Sequence, residues 1–279
     1  MDRAEAEAMS SRLRRRRISL RRRRRLLRGA AYALFAAVVV MLVAAADRRR
    51  VADAFFRTDI AASMFPEAVT VALRNTVIYV LLAFSFGLVA GLVLALMRRS
   101  SVAAYRWTAA VYIEVFRGLP VLLVLFLIGY GIPLAFPEQQ IVGGSYGAVT
   151  IGLGLTAAAY MAETIRAGIQ SVPKGQHEAA RSLGMSHRWA MTSVVLPQAL
   201  RLVVPPLTNE VISLTKDTSI VYILGVTAST VELTKYAGDA LNSRVNPTPL
   251  VVAGVLYLAI TVPLSQVVRF LERRVAKGS

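Results

Sequence analysis

The residues with chemistry to offer are charged and polar side chains set inside apolar runs. Glu114 and Arg117 stand at i, i+3, Glu163 and Arg166 repeat that spacing, and Asn209, Glu210, Lys216 and Asp217 share one later run with Thr215, Thr218 and Ser219. A spacing of three puts each pair on one helix face. A charge at the bilayer centre costs roughly 2.5–3.5 kcal/mol on insertion scales, so such residues are candidates for a solute path. The competing readings are structural ion pairs and side chains that snorkel to the membrane edge. Glu163 and Arg166, near the end of their run, fit a structural pair; Lys216 and Asp217 fit a pair and a solute site equally. A solute carrying both an ammonium and a carboxylate needs partners of both signs, which Lys216 and Asp217, flanked by Thr218 and Ser219, would supply.

Other chemistries are missing. Cysteine is absent and the only histidines are His177 and His187, which leaves no disulfide framework, thiolate site or histidine metal centre. There is no G-x-x-x-x-G-K-[ST] and no H-E-x-x-H, so neither a phosphate cradle nor a zinc-protease centre is present. ATP-driven transport would therefore take its ATPase from another subunit.

A second polar feature is residues 176–197, QHEAARSLGMSHRWAMTSVVLP. Glu178, Ala179 and Ala180 favour helix, Gly184 ends or bends it, Ser186 can start a second helical run, and Pro197 marks the next segment. A polar helix–turn–helix between apolar runs reads as a docking knob for a soluble partner.

The elements that must position these residues are membrane spans. The chain is 56% hydrophobic with mean hydropathy +0.54, too apolar for an ordinary soluble domain. Candidate spans cover 29–46, 69–97, 107–136, 146–165, 203–225 and 250–271, with an interfacial connection at 51–68. The net charge of +17 is concentrated ahead of residue 29, in RLRRRR and RRRRRLLR. Arginine clusters beside an apolar run mark a cytoplasmic flank attracted to anionic lipid rather than a nucleic-acid surface. That basic lead also favours an uncleaved anchor at 29–46 over a cleaved signal peptide. Arg98 and Arg99, Arg106, Arg166, the 176–197 stretch and ERRVAK then all fall on the cytoplasmic side, with both termini inside. Gly118 and Pro120 in the third span loosen a helix and can free backbone carbonyls inside a bundle.

These blocks carry a resemblance. Residues Glu178, Ala179, Ala180, Gly184, Val194, Leu196 and Pro197 match the loop signature of membrane subunits of ATP-binding-cassette importers, with Val194 where isoleucine is usual. EVFRGLPVLL, YMAETIRAGIQSVPKGQHEAARSLG, LPQALRLVVPP and ISLTKDTSIV resemble the polar-amino-acid branch of these permeases, from about residue 70 to the C-terminus. The resemblance implies an all-α membrane protein of the type I importer permease fold: a five-helix core, here with an extra N-terminal transmembrane helix. The expected organisation is an Arg-rich cytoplasmic tail at 1–28, the extra helix at 29–46, and a permease domain at 69–271 with a coupling loop at 174–197. It further implies a multi-pass subunit of the cell membrane that imports a polar amino acid, or with the same architecture an opine or a sulfur amino acid. Its partners would be an ATPase dimer that binds the ATP, a second permease copy or a similar permease, an extracytoplasmic solute-binding protein and the lipid bilayer. The chain itself would hold no cofactor and catalyse no reaction. A free-standing channel or secondary carrier is the alternative from another class, but no repeated halves accompany it.

Overall fold

Apolar length and helix breakers account for most of the architecture. The computed structural model describes residues 24–25, 27–41, 44, 47–139 and 141–277. Most of the 1–28 tail, and part of the 29–46 stretch, lie outside the described residues. Every regular element among the described residues is helical. The chain divides into two units, Met1–Phe56 and Arg57–Ser279.

The first unit contains α1 (Leu27–Met41), apolar but, over its described length, shorter than a spanning helix needs. It also contains α2 (Arg48–Phe55), part of the sequence expected as an interfacial connection. Asp47 caps α2 by accepting from the backbone N–H groups of Arg49 (3.1 Å) and Arg50 (3.2 Å).

The second unit runs α3 (Thr58–Ala62), α4 (Ala68–Arg98), α5 (Ala103–Gly118), α6 (Val121–Ala135), α7 (Gly144–Ser171), α8 (Lys174–Ser182), α9 (His187–Leu224), α10 (Leu233–Arg244) and α11 (Thr248–Lys277). Four of these, α4, α7, α9 and α11, are long and apolar enough to cross a membrane. They match the expected spans at 69–97, 146–165, 203–225 and 250–271. The expected span at 107–136 is not one straight helix: α5 and α6, together long and apolar enough to cross a membrane, are bent by 106° where they meet. Pro120 lacks an N–H and pushes Leu119 into extended backbone (φ −87°, ψ 138°), so the helix cannot continue through the pair. The expected polar loop ahead of residue 249 is corrected, because Leu233–Arg244 of it folds as α10.

The bundle is centred on α7. In their most apolar windows α7 is 67% buried and α11 only 11%, so α7 is the hub and α11 lies on the perimeter. Close approach of α4 explains part of this burial. A Cβ built on Gly91 would stand 3.0 Å from the carbonyl oxygen of Ala158 and 3.0 Å from Cβ of Met161. Small residues let the two backbones touch, the usual way of packing helices where lipid removes the hydrophobic drive. Tyr79, Ala83, Leu153, Met161 and Leu214 fill the core between α4, α7 and α9.

The segment joining α9 to α10 is fastened by buried polar side chains. The Asn75 amide donates to the carbonyls of Ser229 and Val231, both at 2.9 Å, and accepts from Tyr146 Oη at 2.7 Å. Tyr79 Oη donates to Thr230 O at 2.6 Å. Glu232 is fully buried and caps α10, accepting from the N–H groups of Thr234 (2.5 Å) and Lys235 (2.7 Å) and from Tyr257 Oη (3.1 Å). Burial pushes its carboxyl up from the ordinary glutamate value, partly offset by these donors.

Candidate functional site

The polar stretch folds as a closed helix–turn–helix. Gly184 takes φ +82°, and around it Gly184 N donates to Arg181 O (3.0 Å) while Met185 N donates to Ala180 O (3.2 Å). This is a Schellman closure, whose left-handed residue favours glycine. Ser186 then caps the next helix, its Oγ accepting from Trp189 N at 3.2 Å. Two side-chain contacts tie the helices together. His177 Nε2 and His187 Nδ1 are hydrogen-bonded at 3.1 Å, and Gln198 Nε2 donates to Gln176 Oε1 at 3.3 Å. Glu178, Ala179, Leu196 and Pro197 are exposed and Ala180 is buried. Leu183 (84%) and Trp189 (60%) leave large apolar surfaces uncovered beside the turn. A cleft of about 520 Å³ opens here, lined among others by Arg99, Lys174, His177, Glu178 and His187.

One expectation for this stretch changes. Pro197 does not mark a boundary. A π-helical turn at Met191–Val195 leads straight into Leu196–Asp217, because the wider turn accommodates the hydrogen bond that Pro197 cannot donate. Gly184 matters for its backbone conformation alone within this chain, since an added Cβ would meet nothing within 4 Å.

A second cavity, of about 360 Å³, lies between α7 and α9. Leu153, Thr156, Ala157 and Tyr160 line it from α7, and Glu210, Ser213, Leu214 and Asp217 from α9, with Val121 at the start of α6. Both stripes follow i, i+3, i+4, i+7, so each presents one helix face. Tyr130 Oη donates to Ile223 O at 2.6 Å, tying α6 to the 3₁₀ end of α9, Thr218–Leu224. Thr156 is 4% exposed, and its Oγ1 has no hydrogen-bond partner among the described residues.

The cavity gathers only part of the expected set. Asp217 lines it, whereas Lys216 is exposed and not among the lining residues. Neighbours one residue apart point about 100° from each other around a helix, which is why the expected Lys216–Asp217 partnership does not form here. Asn209, seven residues before Lys216, is exposed as well. Thr218 is buried with its hydroxyl donating to Thr215 O (2.7 Å), and Ser219 is half-buried; neither lines the cavity. Glu163 and Arg166 form the structural pair that their spacing suggests, Arg166 Nε donating to Glu163 Oε2 at 2.9 Å. Glu114 and Arg117 are both exposed, and no ion pair between them is present among the described residues. Arg117 instead lies over the Tyr160 ring, 5.6 Å from its centroid. Thr156, Tyr160, Ser213 and the role of Glu210 escaped the sequence reading. The facing i, i+3, i+4, i+7 patterns were the available signal. No cluster of three metal-ligating side chains occurs among the described residues.

Comparison with known proteins places this architecture. Residues 87–277 match the family described as binding-protein-dependent transport system inner membrane component. The chain belongs to this family. The permease is 38% identical to the arginine transport system permease protein ArgU of Corynebacterium glutamicum, over 77% of this chain and 71% of that one. It is 37% identical to the probable glutamine ABC transporter permease protein GlnM of Bacillus subtilis, over 73% and 91%. The crystal structure of an amino acid ABC transporter with histidines superposes with TM-score 0.69 at 35% identity, over 76% of the permease and 96% of that chain. A MetNI methionine ABC transporter in an inward-facing conformation matches in fold, at TM-score 0.56 and 21% identity, over 75% and 98%. The permease is thus an all-α inner-membrane transport component with the importer fold.

Proposed function

We propose that the permease is the membrane subunit of an ATP-driven importer for a polar amino acid. The observation that carries this is the continuity of α9. Its first turns belong to the closed helix–turn–helix with the importer signature, and its later turns bear the cavity stripe Glu210, Ser213, Leu214 and Asp217. From Leu196 to Glu210 is about 21 Å at 1.5 Å per residue, so a push on one end of the helix reaches the other. In this reading α8, the turn at Gly184 and the start of α9 dock into a partner ATPase, with exposed Leu183 and Trp189 as apolar contacts. ATP-driven closure of the ATPase pair then tilts α7 and α9, exposing the cavity to alternate sides. The arginine and glutamine for which the two relatives are named support an amino-acid cargo.

The finer assignments belong to the same proposal. The remaining partners are a second permease copy or a similar permease, and an extracytoplasmic binding protein that delivers the solute. ATP stays on the partner subunits, and the permease itself is not an enzyme. Residues 29–46 form an additional span, with both termini cytoplasmic. Glu178, Ala179, Ala180, Gly184, Leu196 and Pro197 serve coupling; Asp217 serves the solute path.

Reconstitution tests this. Proteoliposomes holding the permease with its ATPase, supplied with the binding protein, should accumulate a labelled polar amino acid only when ATP is present. Transport by the permease alone, without ATP or ATPase, would make it a channel or carrier and overturn the proposal.

A further inference from the structure

The cleft of about 520 Å³ beside α8 lies where three long apolar helices reach one end of the bundle. Arg99 directly follows α4, Ile169 and Gln170 belong to the last turn of α7, and His187 and Met191 to the first turns of α9. The packing puts these ends side by side. A Cβ on Gly87 or Gly91 of α4 would abut Ala157 or Met161 of α7, so the two helices run in the same direction, and one on Gly168 of α7 would abut Val203 of α9. The cleft therefore sits at one edge of the membrane.

Its lining is amphipathic. Ile169, Val172, Met191 and Val195 form an apolar wall, continuous with the small core cluster around Val172, Val195 and Ala199. Arg99 and Lys174 bring two fixed cations, one after the end of α4 and one at the start of α8, against Glu178 as the one acid. Both cations are exposed, and neither takes part in an ion pair among the described residues. Pro173 and Lys174 also open α8 into the cleft; no side chain caps that end, and its first turn carries no acid. The helix start thus adds to the positive field that Arg99 and Lys174 create. The volume falls within the roughly 300–1,000 Å³ of small-ligand sites. A soluble anion would use only the cationic wall and a bare acyl chain only the apolar one, whereas an anionic amphiphile uses both. Basic pockets between helix ends at the bilayer surface are suited to lipid headgroups.

We propose that this cleft holds the headgroup of an anionic phospholipid, its phosphate against Arg99, Lys174 and the start of α8, and the first part of its acyl chains along Ile169, Val172, Met191 and Val195. A lipid seated there bridges the end of α4 to α8 and braces the polar helix–turn–helix against the bundle. The site goes beyond the importer reading and does not require it, because the lipid binds this chain and no ATPase is involved.

Lipid binding to the full-length permease in detergent tests this, titrated by native mass spectrometry. The probes are phosphatidylglycerol and phosphatidylcholine with matched acyl chains. The Arg-rich segment ahead of residue 29 also attracts anionic lipid, so the cleft is read from what its own variants remove. A cation near the membrane surface is worth about a fivefold change in lipid affinity. Arg99→Gln and Lys174→Gln should each weaken phosphatidylglycerol by about that factor and leave phosphatidylcholine little changed. Arg201→Gln, which removes an equal charge from an exposed position on α9 outside the lining, should change neither. Glycerophosphoglycerol, the headgroup without its chains, should bind at least about tenfold more weakly than the lipid, because it lacks the apolar contacts. Equal affinity for the two lipids, or equal losses for Arg99→Gln and Arg201→Gln, would make the attraction one of diffuse surface charge and overturn the proposal. Glycerophosphoglycerol binding as tightly as the lipid would overturn it in favour of a soluble anion. A failure of ATP-driven amino-acid uptake would remove the importer reading and leave these affinities unchanged.

Discussion

Replacing Gly184 tests whether the turn is the working part of the proposed coupling stretch. At φ +82° an L-residue pays for the left-handed conformation, about 1–2 kcal/mol for alanine, less for asparagine and more for a β-branched side chain. Because an added Cβ would meet no atom within 4 Å, steric clash inside the chain contributes nothing and the whole cost is backbone. One to two kcal/mol lowers the weight of the closed turn against open alternatives by roughly 5–30-fold. The expected order of ATP-driven uptake is therefore Gly184, then Gly184→Asn, then Gly184→Ala, with Gly184→Val lowest. The amount of membrane-inserted, monodisperse protein should stay level, since Ala180 is the one buried residue of α8. The assay is uptake into proteoliposomes at matched permease content, with ATPase and binding protein supplied. Gly184→Asp adds a second axis. Aspartate tolerates the left-handed region much as asparagine does, so an inactive Asp variant beside an active Asn variant assigns the loss to charge at the docking surface. If Ala, Asn and Val variants all transport at the unmodified rate, the turn conformation plays no part in coupling.

Further outcomes follow from the packing. Gly91→Leu should drive α4 away from α7, because the atoms facing the new side chain include backbone of Ala158 and Ala162; overpacking of this kind costs about 1–3 kcal/mol and lowers the melting temperature in detergent. Gly254→Ala, where a Cβ meets nothing within 4 Å, should be neutral or stabilising by about 0.5–1 kcal/mol, and equal losses for the two would refute the close-approach argument. Glu232 makes stability pH-dependent. Its native pKa lies above the ordinary value, so its contribution is full below the unfolded-state pKa and fades as pH rises through the native one. Melting followed from about pH 4 to pH 8 should show a fall with pH attributable to this group, and Glu232→Gln should flatten it; parallel curves for the two proteins would contradict the assignment.

What could be read along the chain was local in cause. Apolar length announced the spans at 69–97, 146–165, 203–225 and 250–271, because a helix crossing lipid must satisfy its own backbone. Gly184 and Ser186 announced the turn and cap, since left-handed backbone and an orphan N–H each demand particular residue types. Gly118 and Pro120 signalled a weak point in the third span without giving its 106° consequence, which depends on what each half packs against. Glu163 and Arg166 needed only their spacing.

The candidate site was not local in that sense. Asn209, Glu210, Lys216 and Asp217 occupy one helix, and composition treats them alike. Which of them faces a cavity depends on the rotation of α9 about its axis, and that is set by packing of Leu214 and its neighbours against α4 and α7. The outcome puts Glu210 and Asp217 on the wall and leaves Lys216 exposed. Thr156 and Tyr160 looked like ordinary span residues until α7 brought them opposite those acids. Asn75 gained its role the same way, from partners 71 or more residues away in sequence, and Glu232, a local cap, gained its Tyr257 donor so. The sequence by itself determined where the long apolar helices run and where the polar stretch turns, because those follow from propensity and hydrophobic length. Only the tertiary structure decided the sign of the charge facing the cavity, because a helix face acquires meaning only from what is packed against it.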